Sequence, residues 1–265
     1  MLFEFIIIFI FGLVIGSFLN CVVYRLNEGI SFSSGRSFCP NCKHTLAWYD
    51  LVPVFSFLFL RGKCRYCGQK ISWQYPIVEI STGLIFLLVS ITTFDPQLSI
   101  LNSLFPMVCL LAVSSLLIII FIFDLKWYII PDKVLFIAAG ITAVFHLYNF
   151  FLGLYSKDQA LGFLFSATGA CAFFLAIFLL TRGRAMGFGD VKLAFFMGLF
   201  LGWPKIIVAL FLAFLIGAII GLILIALKKK GLRSEIPFGP FLITGLFIAL
   251  AWGDKLFSSY LNLLY

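Results

Sequence analysis

SILNSLFPMVCLLAVSSLLIIIFIF, residues 99–123, runs for 25 positions without an Asp, Glu, Lys or Arg. As an α-helix it is about 37 Å long, enough to cross the ~30 Å hydrocarbon core of a bilayer. The same charge-free texture recurs on either side of it, at residues 5–24, 134–156, 159–181, 206–227 and 236–253. Two shorter runs complete the set. Residues 80–94 are read as beginning near Pro76, with Glu79 close to the first turn. Residues 193–204 are read as beginning near Gly187, which takes in Asp190 and Lys192. Over the 265 residues 63% are hydrophobic and 11% charged, against about 25% charged in soluble domains. This much apolar surface excludes a soluble fold. The expected fold is an all-α polytopic membrane protein with about eight transmembrane helices. The first run has no basic segment before it and no small-residue cleavage pattern, so it is read as a retained helix rather than a signal peptide.

The basic residues set the orientation. Lys and Arg on short loops mark the cytoplasmic side. With eight spans and an external N-terminus, 16 of the 19 basic residues fall on that side: Arg25, Arg36, Lys43, Arg61, Lys63, Arg65 and Lys70, then Lys126 and Lys133, then Arg182, Arg184 and Lys192, then Lys228, Lys229, Lys230 and Arg233. Lys157, Lys205 and Lys255 are the exceptions. The net charge of +8 is thereby explained by topology and by attraction to anionic lipid headgroups, and calls for no nucleic-acid partner.

One polar segment is long enough to stand outside lipid. It contains Cys39-Pro40-Asn41-Cys42 and Cys64-Arg65-Tyr66-Cys67, two CxxC pairs separated by 21 residues. This spacing is close to that of four-thiolate zinc sites. A segment of this size is too small for a self-sufficient core, so a structural metal has a physical role in it. Two disulfides, a redox-active pair or four unrelated thiols are the competing readings; a reducing cytoplasm disfavours disulfides. The expected organisation is a first transmembrane helix at 1–24, a cytoplasmic zinc-ribbon-like domain at 25–75, and a membrane-embedded core of about seven helices at 76–265. His44 is read as a bystander, His146 as a packing residue, and Cys21, Cys109 and Cys171 as buried thiols.

Of the 11 acidic residues, most fall at loops or helix ends where solvation accounts for them. Asp124, in Phe123-Asp124-Leu125-Lys126, closes the third span, and Asp190, in Gly187-Phe188-Gly189-Asp190-Val191-Lys192, opens the sixth. Two complete spans lie between them, so both emerge at one membrane face. Ionisable groups at membrane depth are costly and are functional candidates by default. Two carboxylates brought together in a low-dielectric site resist ionising together; one can then activate water while its protonated partner polarises a carbonyl. Gly187 and Gly189 permit close backbone approach beside the acid. The competing readings are an Asp124–Lys126 pair at a helix end and an N-terminal cap by Asp190. Asp132, after Ile130-Pro131, is read as a cap opening the fourth helix.

With these pieces assembled, the chain resembles the prepilin peptidases, membrane aspartic proteases that process type IV prepilins and pseudopilins. The matching segments are Gly16-Ser17-Phe18-Leu19-Asn20 with Tyr24-Arg25-Leu26, both CxxC pairs, Tyr75-Pro76-Ile77-Val78-Glu79, residues 124–132, residues 187–193 and Pro237-Phe238-Gly239-Pro240-Phe241. The resemblance implies that Asp124 and Asp190 are the catalytic pair, supported by Gly187, Gly189 and Lys192. It implies an aspartic protease core in a bacterial inner membrane. It also implies a substrate with a short basic leader, a glycine before the cut and a hydrophobic helix after it. Many members with the cysteine loop also methylate the new N-terminus with S-adenosylmethionine; Glu79 and Gly83 are the nearest candidates for that site, and no Rossmann-type glycine fingerprint is present. A transporter would place carboxylates in spans too, but with internal repeats and sites nearer mid-membrane. A zinc-ribbon scaffold of a pilus or secretion machine would leave Asp124 and Asp190 without a role.

Overall fold

The computed structural model describes residues 2–31, 35–93, 100–184, 186–228, 231 and 235–264, without the side chains of 2, 100–103 and 264. Lys229, Lys230 and Arg233 of the topology argument, and the span ends at 94 and 99, lie outside the described residues. Nine α-helices are found among those described: α1 (Leu2–Asn27), α2 (Phe55–Phe59), α3 (Gln74–Thr93), α4 (Ile100–Trp127), α5 (Asp132–Phe151), α6 (Lys157–Thr181), α7 (Phe188–Leu201), α8 (Lys205–Ala226) and α9 (Gly239–Leu264). The expected all-α architecture is borne out. In lipid, backbone N–H and C=O groups find no water, and a helix pairs them within its own segment. The chain divides into two compact units, Met1–Ile119 and Ile120–Tyr265, with the division inside α4.

In the first unit α1 packs along α3, and small residues set the spacing. A Cβ on Gly12 would lie 2.7 Å from the Gly83 Cα, and one on Gly16 2.7 Å from the Glu79 Cα. Gly12 and Gly16 form a Gly-x-x-x-Gly face of the kind that lets membrane helices approach backbone to backbone. The second unit repeats the device. Gly198 of α7 sits against the Ser166 carbonyl of α6, and Gly245 of α9 against the Ala209 carbonyl of α8, each with no room for a Cβ.

Seven described helices have the length and composition to cross a membrane. The remaining expected span is α7, whose 14 residues reach only about 21 Å. Its start is as expected, with Gly187 at the N-cap, and it stops at Gly202, whose φ of +67° breaks the helix. Nine of the 14 residues are buried, and α7 packs against α5, α6, α8 and α9. It is the interior helix of its unit, so protein neighbours rather than bilayer thickness govern its length.

Replacing Gly16 by Leu is expected to prise α1 from α3 and destabilise the first unit by about 1–3 kcal/mol, the usual cost of overpacking. Thermal unfolding of the detergent-solubilised variant checks this; an unchanged midpoint contradicts the close crossing.

Candidate active site

Asp124 lies in the last turn of α4 and Asp190 in the first turn of α7. Both are buried, at 5% and 8% exposure. The Asp124 Oδ2 accepts a 2.8 Å hydrogen bond from the Gly239 N–H, and the Asp190 Oδ2 a 3.2 Å bond from the Gly187 N–H. Gly239 is the first residue of α9 and Gly187 the N-cap of α7. The first N–H groups of a helix have no partner within it and carry the positive end of the helix dipole. Each carboxylate is therefore held by the start of a helix. A Cβ on Gly239 would stand 2.6 Å from the Asp124 Oδ2, so glycine is required where α9 begins. Asp124 does not pair with Lys126, whose ammonium lies over the Trp127 ring. Asp190 occupies the third helical position of α7, behind the cap rather than at it.

Of the residues expected to support the pair, Gly189 is pressed against Ile130, which a Cβ would meet at 3.2 Å, whereas Gly187 has no such neighbour nearer than 3.9 Å. Lys192 turns elsewhere. Its ammonium lies 2.8 Å from both carboxylate oxygens of Asp132, tying the N-terminal half of α7 to the first turn of α5. Asp132 thus stands one place inside the helix, behind the N-cap Pro131, and serves as the partner of Lys192. His146 of α5 packs on Phe163 with ring centroids 4.0 Å apart, as expected of a packing residue, and its Nε2 also donates to the Leu199 carbonyl near the end of α7, at 2.9 Å. The N-terminal residues of α7 and its last turn are both fixed to α5. The role of Gly239 was not apparent from the sequence; the signal was the Pro237-Phe238-Gly239-Pro240 segment at the start of the last span.

In the first unit the Sγ atoms of Cys39, Cys42, Cys64 and Cys67 all lie within 4.8 Å of one another, and all four thiols are free. A tetrahedron with metal–sulfur bonds of about 2.3 Å has sulfurs about 3.8 Å apart, so the cluster fits a four-thiolate metal ion. The two knuckles share one backbone design. Cys39 O accepts from Lys43 N–H and Cys64 O from Gly68 N–H, both at 2.9 Å, while Cys39 N–H and Cys64 N–H donate to His44 O and Gln69 O. The turn needs a left-handed residue after each second cysteine, supplied by Lys43 (φ +58°) and Gly68 (φ +69°). His44 stacks on Tyr66, with centroids 3.7 Å apart. Asp50 joins the halves, accepting from Arg65 Nε at 2.8 Å, Tyr66 Oη at 3.0 Å and Ala47 N–H at 3.2 Å. Burial pushes its carboxyl up, but these donors together hold it below the usual carboxylate range.

Glu79 and Gly83 are both in α3. Glu79 is 6% exposed and accepts a 2.7 Å bond from the Val54 N–H. Gly83 lies in the α1–α3 crossing, where a Cβ would meet the Phe9 ring at 2.8 Å.

The sequence was compared with known families and proteins. The model of the bacterial peptidase A24 N-terminal domain matches residues 10–93, and that of the type IV leader peptidase family matches residues 109–222. The chain is 35% identical over 262 residues to the prepilin leader peptidase/N-methyltransferase of Bacillus subtilis (strain 168), covering 97% of this chain and 98% of that protein. The chain belongs to the type IV leader peptidase family. Proteins of the same name from Aeromonas hydrophila and Legionella pneumophila are each 32% identical, covering 97% and 98% of this chain and 93% and 95% of their own. No solved structure matches the chain at a significant level. The leader-peptidase segment contains both Asp124 and Asp190 but ends before Gly239, so the residue that holds Asp124 lies beyond the segment that defines this aspartic peptidase family.

Gly239→Ala is expected to displace the Asp124 carboxyl and lower peptidase activity about a hundredfold, the scale of an ångström-sized misplacement, with membrane insertion intact. Activity within a few-fold of the parent contradicts the contact.

Proposed function

We propose that this chain removes the short basic leader of type IV prepilins and pseudopilins, cutting after a glycine at the cytoplasmic face of a bacterial inner membrane, with Asp124 and Asp190 as the catalytic pair. The observation that carries the reading is that both carboxylates are buried, each on a helix-start N–H, in a family of leader peptidases. In the reaction one ionised carboxylate takes a proton from a water molecule, whose oxygen attacks the scissile carbonyl. The other, protonated, donates a hydrogen bond to the carbonyl oxygen. The tetrahedral intermediate then collapses as the leaving amine receives a proton from the pair, which returns to its starting state. The apolar helix that follows the cut keeps the substrate in lipid while its basic leader projects into water, so the bond to be cut lies at the interface. Lys192 supports the pair by fixing the turn of α7 that carries Asp190.

The same reading assigns N-methylation of the new N-terminus, on the names of the relatives. The N-terminus lies outside and the cysteine domain of residues 25–75 inside, followed by the protease core of 76–265, on the distribution of basic residues. The metal held by Cys39, Cys42, Cys64 and Cys67 is zinc, the ion that tetrahedral four-thiolate sites favour.

Co-expression with a candidate prepilin, followed by mass analysis of its N-terminus, tests the reading. The leader is expected to be lost after the glycine, and labelled S-adenosylmethionine to transfer one label to the product. An intact leader contradicts the peptidase, and cleavage without label restricts the chain to proteolysis.

Metal analysis of the purified protein is expected to give about one zinc per chain, and Cys64→Ser to lose it. Disulfides among the four cysteines, with no metal, contradict this assignment.

A further inference from the structure

Residues 51–60, Leu-Val-Pro-Val-Phe-Ser-Phe-Leu-Phe-Leu, lie between the charged Asp50 and Arg61 and contain one polar side chain, Ser56. A ten-residue run with nine apolar residues is too short to cross a bilayer and too apolar for a loop in water; such a run belongs in a core or in the membrane interface. A core role does not account for it. Only Phe57 of α2 is buried, packed against Trp73 with centroids 4.9 Å apart and ring planes inclined at 60°. Phe55, Leu58 and Phe59 are 59%, 61% and 84% exposed, and Trp48 beside them is 78% exposed.

The depth of this segment is fixed within its own unit. The chain enters it from α1 and leaves it into α3, both long and apolar enough to span. The Val54 N–H is bonded to Glu79, the sixth residue of α3, about 7.5 Å along the axis from the first. The start of α2 is therefore level with the second turn of a membrane helix rather than above it. That bond also holds Val54 at φ +61° and ψ −50°, a positive-φ conformation costly for a β-branched residue. The buried Glu79 carboxylate fixes the bend that turns the apolar side chains outward. Trp48 and Trp73 bracket the segment, and Arg61 and Lys63 follow it, all exposed. Aromatic residues at the headgroup level and basic residues towards anionic headgroups are the composition of an interfacial anchor.

We propose that residues 51–60 insert into the interfacial layer of the bilayer, with Phe55, Leu58 and Phe59 among the lipid acyl chains, and so hold the cysteine domain flat against the membrane surface. The inference rests only on α1 and α3 being membrane spans and stands apart from the catalytic reading.

Photo-crosslinking tests it. p-Benzoylphenylalanine replaces Phe59 in one full-length protein and Phe55 in a second, each reconstituted in vesicles of phosphatidylethanolamine and phosphatidylglycerol, illuminated, digested and weighed by mass spectrometry. The expected main product at both positions is a phospholipid adduct. Adducts to another segment of the same chain, to a second copy or to an added prepilin overturn the proposal, as does the absence of any adduct, which places the surface in water. Two positions in separate proteins guard against one substitution failing to fold.

Discussion

The hydrogen bond from the Gly239 N–H to Asp124 joins the last turn of α4 to the first residue of α9, and the geometry of the carboxylate pair depends on it. A carboxylate buried among apolar helices needs donors, and in lipid the backbone donors left over are those at helix starts. Asp124 takes one from α9 and Asp190 one from the cap of α7. Neither carboxylate is held by a basic side chain in these contacts. Lys192, two residues after Asp190, is occupied by Asp132.

The packing around α7 serves the same end. Close glycine crossings bring α6 to α7 and α8 to α9, and α5 grips α7 near both ends, through Lys192 and through the Leu199 carbonyl. A short interior helix fixed in this way has little freedom to shift along its axis, and its first turn carries Asp190. Precision of this kind is what acid–base catalysis needs from a scaffold.

Much of this was legible in the sequence because membrane composition is a strong signal. Charge-free runs located the helices, and the paired CxxC spacing located the thiol cluster. The two aspartates were recognisable because carboxylates at span ends are few. The contacts that complete the site were not legible. Gly239 lies 115 residues from Asp124, and nothing local marks a glycine that must lack a Cβ for the sake of a distant carboxylate. The Lys192–Asp132 pair spans 60 residues, so each looked like a partner for something nearer. The length of α7 was hidden for a different reason: hydropathy measures apolarity, and a helix buried by protein is as apolar as one facing lipid.

Asparagine matches aspartate in shape but cannot exchange the proton. The most direct measurement is the initial rate of leader cleavage by reconstituted full-length protein carrying Asp124→Asn or Asp190→Asn, with Asp132→Asn alongside. The account predicts a fall of about 100- to 10,000-fold for either of the first two, and measurable activity for the third. Cleavage near the parental rate by the 124 or the 190 variant would contradict it.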